Sequence, residues 1–231
     1  MWSPQFTLAA GGWRVIAPEL RGMNGAAKDP PAASMDDYAG DLIDLLDALH
    51  VDEAVVAGLS MGGYAALAIC RHAARYVRGL VLADTRATAD TPEGVEGRKR
   101  MLALVAAKGA AGVADEMLPK LLGETTRRER PGVADDVRRM ILDNSSDAIT
   151  GAVRAMMTRP DSTPLLSSIH CPALVVVGAE DAITPPSTAE DLQRRLPGAG
   201  LVVVPRAGHL SNIEQPEAFT AALAHFLEHR I

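Results

Sequence analysis

Ala54-Val55-Val56-Ala57-Gly58-Leu59-Ser60-Met61-Gly62-Gly63-Tyr64 is the stretch whose reading decides the fold. Its first four residues are a short apolar run, and Tyr64 opens a helical run that continues to residue 74. Between the two lies a G-x-S-x-G pentapeptide, Gly58 to Gly62. Such a pentapeptide carries chemical meaning where it joins a strand to a helix, and the flanks here predict that context. A turn this sharp strains the serine backbone and requires small neighbours. It lifts the Ser60 hydroxyl above the end of the strand. It also leaves the Met61 N–H at the helix start, aimed at a developing oxyanion. Ser60 is therefore a candidate nucleophile, and the Met61 N–H a candidate oxyanion donor.

Working outward, further Val-, Leu- and Ala-rich runs occur at residues 14–17, 79–83, 173–177 and 201–204. Together with residues 54–57 they predict strands with both faces buried, the pattern of a parallel sheet covered by helices on each side. Helical patterns alternate with them. Ser34 is a candidate N-cap with acid in the following turn, and Tyr38, Leu42, Leu45, Leu46 and Leu49 mark one helix face. Pro216 opens a last helix carrying Phe219, Leu223, Phe226 and Leu227. The alternation predicts an α/β class: a doubly wound, mostly parallel sheet. One long interruption, residues 85–167, has only helical segments (100–108, 114–122, 133–143 and 148–157), with a turn expected at 109–112. The expected organisation is a core of residues 1–84 and 168–231 with a helical cap, residues 85–167, over the sheet edge where such folds bind ligands. The cap methionines Met101, Met117, Met140, Met156 and Met157 either pack its helices or line a pocket.

A serine nucleophile needs a base and an orienting carboxylate. Of six histidines, His50, His72, His170, His225 and His229 have no special setting. His209 follows the run 201–204 and a turn, Pro205-Arg206-Ala207-Gly208, where a loop can carry it over the sheet edge toward Ser60. Asp181, in Gly178-Ala179-Glu180-Asp181, stands after another strand. The order Ser60, Asp181, His209 is that of the α/β-hydrolase triad. Two rivals for the acid remain at this stage: Glu180, which points away if Asp181 points inward, and Asp84 at the end of residues 79–83.

Composition narrows the remaining classes. The chain has 231 residues, and its 48% hydrophobic and 23% charged content is that of a globular protein rather than a disordered one. No apolar run approaches the roughly eighteen residues of a membrane span. A formal net charge of −6 with no basic stripe argues against nucleic acid as a partner. The N-terminus does not read as a signal peptide, and Cys70 and Cys171 cannot build a disulfide framework, so a cytoplasmic setting is expected. No metal-ligand spacing appears, and the chemistry calls for no metal or organic cofactor. Cys70 reads as a buried filler and Cys171 as the start of a strand.

Four segments together resemble the α/β-hydrolase fold family: Gly58-Leu59-Ser60-Met61-Gly62-Gly63, the run from Val15 to Gly22, the run from Val177 to Asp181, and the run from Ala207 to Glu217. Within it the chain is similar to 3-oxoadipate enol-lactonases and related small esterases. The resemblance implies a serine hydrolase acting on a small-molecule ester or lactone. Cofactor-free perhydrolase or haloperoxidase-like activity on the same triad is one alternative, and a non-catalytic or impaired family member is another. Serine at the elbow argues against the branches that carry aspartate there.

The resemblance also implies a longer segment ahead of residue 14, with three strands and a His-Gly turn that supplies a second oxyanion N–H. Met1-Trp2-Ser3-Pro4-Gln5 resembles the helix after that turn. The expectation is a fold lacking its first strands, from an internal start, from a real truncation, or with residues 14–17 moved beside residues 54–57. Glu19 stands where the family has aspartate. Arg86, Arg98, Arg100 and Arg154 either pair a substrate carboxylate or lie on solvated helix faces.

Overall fold

The computed structural model describes residues 1–24 and 32–231. After a 3-10 segment, Ser3–Gly11, comes α1 (Met35–Ala48), which starts with a complete capping box. The Ser34 hydroxyl accepts the Asp37 N–H at 3.1 Å, and the Asp37 carboxylate accepts the Ser34 N–H at 3.0 Å. Then follow β1 (Ala54–Leu59), α2 (Met61–Ala73) and β2 (Val77–Ala83). Five helices come next: α3 (Pro92–Leu121), α4 (Glu124–Glu129), α5 (Pro131–Leu142), α6 (Ser146–Met157) and α7 (Thr163–Leu166). The chain returns through β3 (Ala173–Gly178), α8 (Pro186–Arg195), β4 (Gly200–Val204), α9 (Ser211–Glu214) and α10 (Pro216–Arg230).

The four strands of the described residues form one sheet in the order β1-β2-β3-β4, each neighbouring pair parallel. Side chains alternate across it with the strand period of two. Leu80, Leu82, Val175 and Val177 join the core under α1, α2 and α8. Val81, Ala83, Leu174 and Val176 face the other way, into a second core with Phe219, Leu223 and Phe226 of α10. Trp2 seals that side against Phe219, ring centroids 6.0 Å apart. Helices on both faces explain why β2 and β3 are apolar along nearly their whole length.

Two expectations need correction. Residues 14–17 are not a strand: among the described residues they have no place in the ladder order, beside β1 or elsewhere, and Ile16 is 36% exposed. An apolar run becomes a strand only when a neighbouring backbone takes up its N–H and C=O groups. The turn at 109–112 shrinks to Gly109, whose φ of 59° kinks an otherwise continuous α3, while Gly112 lies buried within the helix. Among the described residues, the stretch between β2 and β3 has no strand. None of the described helices is long and apolar enough to cross a membrane.

Candidate active site

Ser60, Asp181 and His209 each stand just beyond the C-terminal end of a parallel strand: β1, β3 and β4, respectively. Ser60 has φ 53° and ψ −113°, a left-handed setting that a non-glycine residue holds only when its surroundings enforce it. Its N–H is bound to Ala83 O at 2.9 Å, and its own carbonyl accepts the Gly63 N–H at 3.0 Å. Thr85 Oγ1 donates to that same carbonyl at 2.7 Å.

The glycines of the elbow divide by role. A Cβ on Gly58 would lie 2.2 Å from Gly62 O, and one on Gly63 would lie 2.5 Å from Thr85 Oγ1. A Cβ on Gly62 would meet nothing within 4 Å. Close packing therefore demands glycine at Gly58 and Gly63, the latter outside the pentapeptide. Met61 opens α2, so its N–H is among the first-turn groups that lack an intrahelical acceptor.

His209 Nε2 lies 2.8 Å from Ser60 Oγ, and His209 Nδ1 lies 2.8 Å from Asp181 Oδ2. The other Asp181 oxygen accepts the N–H groups of Ile183 at 2.8 Å and Thr184 at 2.9 Å. Thr184 Oγ1 adds a 2.6 Å bond to Asp181 Oδ2. Burial pushes the Asp181 carboxyl up, but the hydrogen bond and charge of His209 and the bonds from Thr184 outweigh it. The group ends below its ordinary range. With Asp181 ionised, Nδ1 of the imidazole carries the proton and Nε2 is left to accept one from Ser60.

The two rival carboxylates have other partners. Glu180 accepts from Thr125 N and Thr125 Oγ1, which ties it to the start of α4. Asp84 accepts the Gly178 N–H at 2.8 Å and the Ser211 hydroxyl, and does not reach the imidazole. Among the arginines, Arg98 is paired with Asp90 at 3.0 Å and Arg86 donates to Ile183 O at 2.6 Å. Cys70 is buried, and that burial pushes its thiol up to about 12, so it is no competing nucleophile.

Three supporting residues escaped the sequence reading. Thr184 had a local signal, the Asp-x-x-Thr spacing of a side chain that caps its own turn. Thr85 had none. Nor did Glu214, which is fully buried and accepts the N–H groups of Gly208 at 2.9 Å and Leu210 at 3.1 Å, on either side of His209. Its second oxygen accepts the Gly123 N–H at 2.8 Å, and His209 N donates to Leu121 O at 3.0 Å. The histidine loop is thereby pinned to the junction of α3 and α4. From α6, Ala155 and Met156 pack in one cluster with Met61 and Tyr64, directly beside the elbow.

A strand-to-helix serine elbow with acid and base on later strand ends defines a class, and comparison with known proteins agrees. The model of the Alpha/beta hydrolase family matches residues 1–222, and the chain belongs to that family. A thermophilic esterase from Thermogutta terrifontis, solved with malate bound, is 41% identical. It superposes with a TM-score of 0.94 over 98% of this chain and 84% of its own. The 3-oxoadipate enol-lactonase 1 of Acinetobacter baylyi is 27% identical over 99% of this chain and 84% of that protein. A pimeloyl-[acyl-carrier protein] methyl ester esterase of Neisseria meningitidis is 31% identical over 94% of this chain and 69% of its own length.

Proposed function

We propose that the chain is a serine hydrolase that cleaves a small carboxylic ester or lactone through an acyl-enzyme. The observation that carries this reading is the continuous relay from Ser60 Oγ through His209 to Asp181, both links 2.8 Å long. His209 Nε2 takes the hydroxyl proton as Ser60 Oγ attacks the carbonyl carbon. The resulting oxyanion faces the Met61 N–H, and Asp181 holds the imidazolium in place. Collapse breaks the bond to the leaving oxygen, which takes the proton from Nε2 and leaves the acyl group on Ser60. Water then repeats the sequence and frees the acid. With a lactone the leaving hydroxyl stays on the acyl chain, so one hydroxy acid is released.

In this reading residues 85–167 act as a cap. Support comes from α6 packing beside the elbow and from the bonds of Glu214 and Glu180 to the α3–α4 junction and α4. The enol-lactonase and methyl ester esterase among the relatives support a small ester or lactone as the substrate class. A cytoplasmic setting completes the proposal, since free cysteines such as Cys70 and Cys171 suit a reducing compartment. The test is a panel of short-chain nitrophenyl esters and small lactones, assayed with the wild type and with Ser60→Ala. Hydrolysis by the wild type that Ser60→Ala abolishes is the expected result. Equal rates for the two proteins would overturn the reading.

A further inference from the structure

We propose that Asp84 is a positioning residue that holds the Asp181 and His209 loops in register with the serine elbow. The inference rests on the triad reading above and goes beyond it. Asp84 is the first residue after β2, the strand between β1 and β3. Its N–H continues the ladder onto Val176 O at 2.9 Å, and its φ of 46° is a setting that few non-glycine residues hold. From there the carboxyl spans two loops. One oxygen accepts the Gly178 N–H at 2.8 Å, three residues before Asp181. The other accepts the hydroxyl of Ser211, two residues after His209. The next residue, Thr85, bonds the carbonyl of Ser60 and occupies the space that a Cβ on Gly63 would need.

Two adjacent residues therefore touch all three loops that carry the triad, while Asp84 itself touches none of the reacting atoms. The environment is costly for a carboxyl. Asp84 is 1% exposed, and burial raises its proton affinity well above the ordinary value despite the bonds from Ser211 and Gly178. No cation is bonded to it to offset that cost among the described residues. Its two donors are themselves buried, so removing the carboxyl strands both. A spare catalytic acid would explain a carboxylate here, but it would have to reach an Nδ1 that Asp181 already occupies.

The two roles separate on substitution. An amide keeps an oxygen for the Gly178 N–H and offers an N–H to Ser211 Oγ, yet it cannot act as an acid. Steady-state hydrolysis of a nitrophenyl ester is compared for the wild type, Asp84→Ala, Asp84→Asn, Ser211→Ala, Asp181→Asn and Asp181→Asn/Asp84→Asn, each checked for a cooperative melt. Asp84→Ala is expected to lower kcat about 10- to 100-fold, with KM within about twofold, because displacement of reacting groups costs turnover rather than binding. Asp84→Asn rescues most of that loss. Ser211→Ala, which removes only the hydroxyl, falls between them and carries the test if Asp84→Ala does not fold. The double variant matches Asp181→Asn.

The inference is overturned by an unchanged kcat in Asp84→Ala (or in Ser211→Ala where it stands in), by Asp84→Asn being as damaged as Asp84→Ala, or by a double variant weaker than Asp181→Asn. Full activity in Asp181→Asn would instead break the triad reading on which the inference rests.

Discussion

Residues 80–83, Leu-Val-Leu-Ala, and residues 14–17, Arg-Val-Ile-Ala, read almost alike and end differently. In the first, Leu80, Leu82 and Ala83 are fully buried in the middle of the sheet, and the chain beyond them organises the candidate active site. The second has no ladder place, and its isoleucine is over a third exposed. Apolar pattern sets which face a strand would bury. Whether a strand forms depends on a second backbone to receive its hydrogen bonds. Residues 80–83 have β1 on one side and β3 on the other.

That contrast can be broken at several points. The largest effect belongs to the chemistry that the central strands support: Ser60→Ala should lower ester turnover by about 10⁴-fold or more. Ile16→Ser should leave it within about twofold, and an equal loss from both would mean that the 14–17 segment shapes the site. Next in size is core packing. Leu82→Ala should cost about 2–5 kcal/mol in a denaturant melt, and Ile16→Ala no more than about 0.5 kcal/mol. A large loss at Ile16 would show that its segment belongs to the core.

The elbow offers a finer test within one motif. Gly63→Ala forces a Cβ against Thr85 and should cost about 1–3 kcal/mol. Gly58→Ala, which meets the backbone of Gly62, should be no milder. Gly62→Ala has open space on a helix and should be neutral or slightly stabilising. A destabilised Gly62→Ala would contradict the assignment of packing roles.

The smallest effect is in pH dependence, and the two buried aspartates differ in sign. Asp84 has a raised affinity for its proton in the folded state, chiefly through burial and in smaller part through the nearby Asp181 charge. Its contribution to stability is complete below the ordinary carboxylate value and is lost as pH rises through the raised one. The amide in Asp84→Asn cannot ionise, so the melting temperature of that variant relative to the wild type should climb as pH rises above the ordinary carboxylate value of about 4. Asp181 is shifted the other way. Its contribution is present above the ordinary value and lost as pH falls through the lowered one. The gap between wild type and Asp181→Asn should therefore narrow below about pH 4. Parallel curves for both variants would contradict the opposite environments of the two carboxyls.

What was legible in the sequence follows the same physical line. Local signals worked where local geometry dictates the outcome. The elbow needs glycine and a strand-to-helix junction, β2 and β3 are apolar on both faces, and Ser34 and Asp37 satisfy each other across one turn. That Ser60, Asp181 and His209 come together was legible because each follows a strand end, and strand ends converge in a parallel sheet. Interactions between distant segments left no pattern to read. Asp84 meets a donor 94 positions away, and Glu214 meets one 91 positions away. Residues 14–17 were misread for the same reason: a strand's partner is not written in its own composition.

The central claim, that His209 and Asp181 activate Ser60, is tested most directly by covalent capture. The protein is incubated with a fluorophosphonate and mapped by peptide mass spectrometry. The account predicts one adduct, on Ser60, forming rapidly in the wild type and at least about 100-fold more slowly in His209→Ala. An adduct on another residue, or equal labelling rates in the two proteins, would contradict it.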